Sequence, residues 1–306
     1  MKTKQNKINI GCASNDGFSQ HLGVMLYSLL KNCSCPEKIS IFLMDGGICD
    51  ENKKKLNSII NKFNAEIKYI KPEKKYLKGL KPYRHISIET YYRFFLIDNM
   101  KSEKLLYIDA DLVVLGDIKE LYETKFEDNI LFAVKDPGGS INRKKELDIP
   151  LDEHYFNAGV ILINCKKWKK ENISKKAMDY IKENPEKIQY ADQDGLNATL
   201  INKWKELNPS WNLITRLFYY KYIYLIKPPN YEKDNIFEIT KNPKIIHYAG
   251  FIKPWFFLDP SPYKPIYWKY LKETPWKDYK YPDKNLVGAI KRIGYYFKTI
   301  KGKIFK

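Results

Sequence analysis

Apolar residues recur along this chain with two alternating periods. Ile8 to Cys12 is a short apolar run that opens into the polar turn Ala13-Ser14-Asn15-Asp16-Gly17, as a buried strand feeding a loop would. Leu22, Met25, Leu26 and Leu29 follow at helical spacing and predict a helix with one apolar face. Ile39 to Met44 predicts a second strand. Asp50 is expected as the N-cap of a Lys-rich helix whose apolar side carries Leu56, Ile59, Ile60 and Phe63, and Glu66 to Ile70 predicts a third strand. Strands alternating with helices in this way point to a parallel α/β sheet.

A basic loop spans Pro72 to Pro82, and a helix is expected from Ile88 to Ile97. Leu105 to Ile108 reads as a buried strand ending in Asp109-Ala110-Asp111, after which Leu112 to Leu115 resumes the apolar pattern. Leu131 to Val134 and Val160 to Ile163 are further strands, Ala191 to Leu200 is helical, and Ile245-Ile246 leads into His247. From Pro254 the chain is rich in Pro, Trp and Tyr, which predicts irregular structure packed on the main domain, with a helix again from about Leu286.

Composition narrows the class. With 306 residues and 44% hydrophobic content, one packed α/β domain is expected rather than disorder or two full domains. The five cysteines have neither zinc-site nor disulfide-framework spacing and read as reduced thiols. The basic N-terminus lacks an apolar run long enough for a signal peptide, and no stretch approaches the length of a spanning helix. The expectation is a cytoplasmic protein. The net charge of +18 calls for an acidic partner: nucleic acid, an anionic membrane or a phosphate-bearing substrate. Seven of the 54 basic residues lie in Lys284 to Lys306, which has no acidic residue; elsewhere the basic side chains are scattered, and no nucleic-acid motif is found.

Two constellations carry chemistry. Asp109-Ala110-Asp111 directly follows an apolar strand, so two carboxylates fall at the carboxyl rim of the sheet, where open α/β folds bind ligands. Carboxylates this close repel unless a cation lies between them, and their hard oxygens suit Mg²⁺ or Mn²⁺ bridging a diphosphate. The second is His247-Tyr248-Ala249-Gly250-Phe251-Ile252-Lys253-Pro254-Trp255. Here Gly250 allows close backbone approach to a ligand and Lys253 is a point charge for a phosphate oxygen. An imidazole added to two carboxylates favours Mn²⁺, with Mg²⁺ as the alternative ion.

With both constellations in order, the sequence resembles the family 8 glycosyltransferases, retaining enzymes of the GT-A fold that use UDP-sugars, and among them the bacterial lipooligosaccharide and lipopolysaccharide α-galactosyltransferases. The likeness runs from about Ile8 to Trp255 and includes Ala13 to Asp16, Arg84 to Arg93, Leu106 to Asp111, Tyr155 to Val160, Asp192 to Asn197 and His247 to Trp255. It implies a GT-A domain over residues 1–270, with a central mostly parallel sheet flanked by helices; residues 271–306 read separately, from their charge and apolar spacing, as a basic amphipathic tail. It implies that Asp109, Asp111 and His247 hold the metal, and that Ala13, Asn15 and Asp16 meet uracil and ribose. Ala110 and Ala158 would line the donor site, and Gly250 and Lys253 would contact the diphosphate. Arg93, Asn157, Asp192 and Gln193 would lie at the donor sugar, and Asp136 where the acceptor binds. The first turn departs from the family pattern of two acids followed by Asn-Tyr: it reads Asn15-Asp16-Gly17-Phe18.

The expected reaction is transfer of galactose or glucose from a UDP-hexose to a saccharide, lipid-linked where the product is a cell-surface glycan such as lipopolysaccharide. Gln193 is an amide and a poor nucleophile, which favours attack by the acceptor on the face that UDP leaves; Asp192 would stabilise the sugar ring, with a direct nucleophilic role as the alternative. The competing readings are a basic nucleic-acid-binding protein and a non-catalytic sugar-nucleotide binder. In the tail, Leu286, Ile290, Ile293, Phe297, Ile300 and Ile304 recur at spacings of three and four, with Lys and Arg largely off that stripe. This predicts an amphipathic helix holding the enzyme peripherally on an anionic inner membrane face, with a helix docked on the domain or paired in a dimer as the alternative.

Overall fold

A computed structural model describes residues 7–83, 86–219 and 240–284. The expected tail helix from Leu286, and Arg84 and His85, lie outside the described residues.

Seven strands form the main sheet. In chain order, β1 (Ile8–Ser14), β2 (Ile39–Asp45), β3 (Glu66–Ile70), β4 (Lys104–Ile108), β6 (Leu131–Lys135), β7 (Phe156–Asn164) and β8 (Trp204–Glu206) are arranged as β3-β2-β1-β4-β7-β6-β8. All neighbours are parallel except β7, which runs antiparallel to both β4 and β6. A second sheet of three short strands, in the order β5 (Leu112–Val114), β10 (Ile245–His247) and β9 (Leu213–Ile214), stands beyond the end of β4.

Burial on both faces explains the continuous apolar runs of the central strands. Leu106 and Ile108 of β4 and Val160 and Leu162 of β7 join one core cluster, while Leu105 and Tyr107, Ile161 and Ile163 join the other. The first cluster is closed by helices α1 (Ser19–Asn32) and α2 (Asp50–Lys62), the second by α3 (Tyr92–Asn99) and, further on, α4 (Cys165–Lys170), α5 (Ile173–Glu183) and α6 (Asp192–Thr199). At Gly11 of β1 an added Cβ would fall 2.8 Å from Leu96 Cδ2, so the closeness of α3 to the sheet depends on that glycine.

Four local expectations are corrected. Helix α1 is buried from Ser19 to Leu30 rather than on one face, because the segment around helix Lys264–Leu271 and Trp276 covers its outer side. The N-cap of α2 is Cys49, and Asp50 instead opens the first turn, where its charge suits the positive helix end. Residues Ile88–Tyr91 form a 3₁₀ turn, and the α-helix begins only at Tyr92. The aromatic C-terminal stretch is not irregular throughout: Lys264–Leu271 is a helix with proline in its first turn, where proline needs no amide partner.

Candidate active site

The strand order reverses direction at β1 and β4, which lie side by side while the chain continues from β1 outward to β2 and β3. Such a switch point opens a crevice at the carboxyl ends of the strands. Here Ala13 and Ser14 at the end of β1, Asp109 after β4, Asp136 after β6 and Asn157 at the start of antiparallel β7 all reach one cleft of about 660 Å³. That volume lies within the range of small-ligand sites.

The Asp-Ala-Asp triplet bridges the two sheets. The amide of Asp109 donates to the carbonyl of Gly159 on β7 at 2.9 Å, and the carbonyl of Asp111 accepts from the amide of Tyr248, just after β10, at 3.1 Å. Antiparallel pairing of His247 with Leu112 then sets the imidazole opposite the triplet. One ligand atom each from Asp109, Asp111 and His247 lies within 4.8 Å of the others. His247 Nε2 is 3.3 Å from Asp111 Oδ1, and Asp109 keeps 29% side-chain exposure toward the cleft. Two carboxylates and an imidazole that converge while part of each carboxylate stays open fit a divalent cation. The crowding is tight: a Cβ on Gly159 would meet His247 Cε1 at 2.3 Å and Asp109 Oδ2 at 2.9 Å.

Charge around the triplet is asymmetric. Burial pushes the Asp109 carboxyl up, against the pull of Arg93. Burial acts the same way on Asp111, but Lys253 and His247 together outweigh it and hold that carboxyl well below the usual range. Lys253 Nζ contacts Asp111 Oδ2 and donates to the Tyr248 carbonyl at 2.8 Å. The loop carrying Lys253 is anchored by Trp255, whose ring stacks on His21 of α1 at 3.5 Å between centroids. Desolvation in this stack pushes His21 down to about 3, so it is a neutral packing element.

Arg93 is buried and links two carboxylates. Its Nη2 is 2.9 Å from Asp109 Oδ1 and its Nε 2.9 Å from Asp192 Oδ2, while Nη1 donates to the Ala158 carbonyl at 2.6 Å. Its guanidinium also lies 4.3 Å from the centroid of the Tyr107 ring. Thr90 donates to the other Asp192 oxygen. Burial pushes Asp192 up to about 6 despite Arg93. Ala191, the residue before it, holds φ at 48°, a left-handed conformation that costs a non-glycine residue energy and turns Asp192 and Gln193 toward the cleft.

Gln193 is saturated: its Oε1 accepts from the Ala158 amide at 3.0 Å and from Asn157 Nδ2 at 3.1 Å, and its Nε2 donates to Asp136 Oδ2 and to the Tyr155 hydroxyl, both at 3.1 Å. Asp136 Oδ1 accepts from the Gly138 amide at 2.6 Å.

Of the residues singled out from sequence, Ala13, Asn15, Arg93, Asp109, Ala110, Asp111, Asp136, Asn157, Ala158, Asp192, Gln193, His247, Gly250 and Lys253 all line this cleft. Asp16 does not: its carboxylate accepts from the Cys49 amide and Asn52 Nδ2, both at 2.9 Å, and fastens the first turn to α2. Asn15 also has local duties, bonding the Phe18 amide and Glu89. Phe18, Thr90 and Gly159 lie in segments the sequence singled out but received no role there, and Asn212 was not singled out, since each meets a partner distant in the chain or matters through the space it leaves.

Comparison with known proteins places this architecture. The Glycosyl transferase family 8 profile matches residues 9–259, and the chain belongs to that family. It is 33% identical over 281 residues to General stress protein A of Bacillus subtilis (strain 168), covering 89% of this chain and 96% of that protein. It is 31% identical over 283 residues to the lipopolysaccharide 1,3-galactosyltransferase of Salmonella typhimurium, covering 89% and 80% respectively. Among solved structures, the galactosyltransferase LgtC in complex with donor and acceptor sugar analogs superposes with a TM-score of 0.75 at 25% identity, over 88% of this chain and 96% of that one. The fold is therefore GT-A, with the central mostly parallel sheet expected from the sequence, and the protein is a glycosyltransferase related to the lipopolysaccharide galactosyltransferases.

Proposed function

We propose that the protein transfers a hexose, galactose or glucose, from a UDP-sugar to a saccharide acceptor with retention of anomeric configuration, in the synthesis of lipopolysaccharide or another cell-surface glycan. The observation that carries this reading is the convergence of Asp109, Asp111 and His247 beside Lys253 in a cleft at the switch point of the sheet. Mn²⁺ held by those three side chains would neutralise charge on the departing diphosphate, as Lewis-acid metals do.

The chain's own groups account for the rest. Lys253 is tethered by its loop to place a positive charge at the diphosphate. Arg93 holds Asp109 and Asp192 in fixed relation, so the metal-ligand candidate and the carboxylate facing the sugar move as one unit. Gln193 has its amide hydrogens and oxygen already engaged, which leaves it no role as nucleophile. Asp192 is blunted by Arg93 and Thr90 and suits electrostatic support of a positively charged sugar ring. These restraints favour same-face attack. The bond from the anomeric carbon to the phosphate oxygen breaks, the acceptor oxygen bonds that carbon on the same side, and the acceptor proton passes to the departing phosphate oxygen.

The test is turnover of a panel of UDP-hexoses with Mn²⁺, followed by proton spectra of the product. An α-linked product from a UDP-α-sugar, lost in EDTA and in Asp111→Ala, is expected. A β-linkage, or full activity in EDTA, would overturn the reading.

A further inference from the structure

Behind the carboxylates runs a line of amide side chains whose hydrogen bonds have a defined direction. The backbone amide of Gly159 can only donate, and it reaches Asn157 Oδ1 at 2.9 Å. That contact identifies the oxygen of Asn157; its Nδ2 accordingly donates to Asp136 Oδ2 at 2.8 Å and to Gln193 Oε1 at 3.1 Å. The Ala158 amide, donating to the same Gln193 Oε1 at 3.0 Å, independently orients that neighbour. Asn212 must then offer its nitrogen to Asn157 Oδ1, and does so at 2.9 Å. The remaining Asn212 oxygen faces His247 Nδ1 at 3.0 Å. An amide oxygen only accepts, so Nδ1 carries a ring hydrogen, and in the neutral ring Nε2 is the nitrogen with the lone pair, on the side of Asp111.

We propose that Asn212 is the positioning residue of the metal site: it selects the His247 tautomer that can ligate through Nε2 and locks the ring plane toward Asp109 and Asp111. The inference rests on the reading of Asp109, Asp111 and His247 as metal ligands. Histidines that bind metal through one nitrogen ordinarily donate the other N–H to an oxygen, and loss of that partner lowers metal affinity about 10- to 100-fold. Asn212 is 1% exposed and does not line the cleft, so it acts on the ion through His247 and touches no substrate. It ends the 3₁₀ turn Pro209–Asn212 immediately before β9, which pairs with β10, so the backbone that carries it is registered against the backbone that carries His247. Direction in the line originates at the backbone of β7, whose antiparallel pairing with β4 also holds Asp109. One strand therefore orients two of the three proposed ligands.

The experiment compares the full-length wild type with Asn212→Leu, which keeps similar bulk but cannot accept from Nδ1. Binding of Mn²⁺ in the presence of UDP is followed by the electron paramagnetic resonance signal of the free ion. Thermal melting reports folding. A loss of about 10- to 100-fold in Mn²⁺ affinity, in a variant that still melts cooperatively, is expected. Affinity within twofold of wild type overturns the inference. Failure of the wild type itself to bind Mn²⁺ overturns the metal reading instead, so the two failures are distinguishable. Should Asn212→Leu not fold, the wild type alone decides through ¹⁵N-histidine spectra, in metal-free protein at a pH where imidazole is neutral. Only four histidines must be assigned. A His247 ring protonated at Nδ1 sustains the proposal, and one protonated mainly at Nε2 overturns it.

Discussion

Gly159 has an unexceptional backbone, so the space it leaves is the whole reason for a glycine there. In Gly159→Ala the new methyl would overlap the His247 ring and press on Asp109, and both belong to a rigid strand frame. The expected outcome is a loss of Mn²⁺ affinity of about 10- to 100-fold by titration calorimetry. An overpacking cost of about 1–3 kcal/mol in chemical denaturation should accompany it. Asp192 makes a second prediction. Burial raises its carboxyl to about 6, so the protonated form is favoured in the folded protein below that pH. The ionised form is the one that pairs with Arg93 and that, on the proposed mechanism, would support positive charge on the sugar. At saturating Mn²⁺, kcat/KM for the donor should fall as pH drops through about 6. Asp192→Asn should be slow at every pH and lack that limb; a wild-type profile flat from pH 7 down to about 5 would contradict the assignment. The same shift acts on stability with the opposite sense. A carboxyl raised above its ordinary value of about 4 penalises the fold once it ionises, so Asp192 favours stability below that range and the advantage is lost as pH rises through about 6.

At the scale of elements, the segment from His247 to Trp255 works as a lever held at both ends. One end is the β10 pairing that carries His247, and the other is Trp255 stacked on His21 with Phe18 edge-on at 5.8 Å. Between them Gly250 takes φ of 103°, a conformation that favours glycine and lets the chain turn Lys253 back toward Asp111. Removing the anchor should loosen Lys253 while leaving the β10 ligand in register. Trp255→Ala is accordingly expected to raise the donor KM several-fold more than it weakens Mn²⁺ binding in the absence of donor. Its melting temperature should fall, consistent with loss of a buried aromatic worth about 3–5 kcal/mol. Equal effects on metal and donor would show that the loop does not act separately from the ligand set. Much of this organisation was legible in the sequence. Strand boundaries such as Glu66 to Ile70 follow from a local alternation, in which Ile67 and Tyr69 interleave with charged Glu66 and Lys68. The full burial of α1 was not legible, because polar Gln20 and His21 meet Tyr267 of a C-terminal segment nearly 250 residues away.

Across the whole molecule, the charge is uneven: residues 284–306 hold seven basic side chains, and the remainder of the chain carries +11. No helix among the described residues is long and apolar enough to cross a membrane. We propose that the tail binds an anionic membrane surface at the cytoplasmic face, each basic residue near such a surface contributing about 1 kcal/mol. Deleting 284–306 should abolish salt-sensitive cosedimentation with anionic vesicles yet leave transfer to a small soluble acceptor nearly unchanged, because among the described residues the lining of the cleft runs from Ala13 to Lys253. Equal vesicle binding by the truncated protein would refute the proposal. The sequence by itself determined the α/β class, the Asp109-Ala110-Asp111 triplet at a strand end and the His247 block, since these depend on near neighbours: an apolar run, the turn that ends it, and ligand types at short spacing. Only the tertiary structure decided that β7 runs antiparallel, that Asp16 serves α2 rather than the cleft, and that Gly159 and Asn212 belong to the site. Strand direction follows from how the chain crosses the sheet, and the roles of Asp16, Gly159 and Asn212 consist of contacts at 33 to 88 residues' separation; neither leaves a local pattern to read.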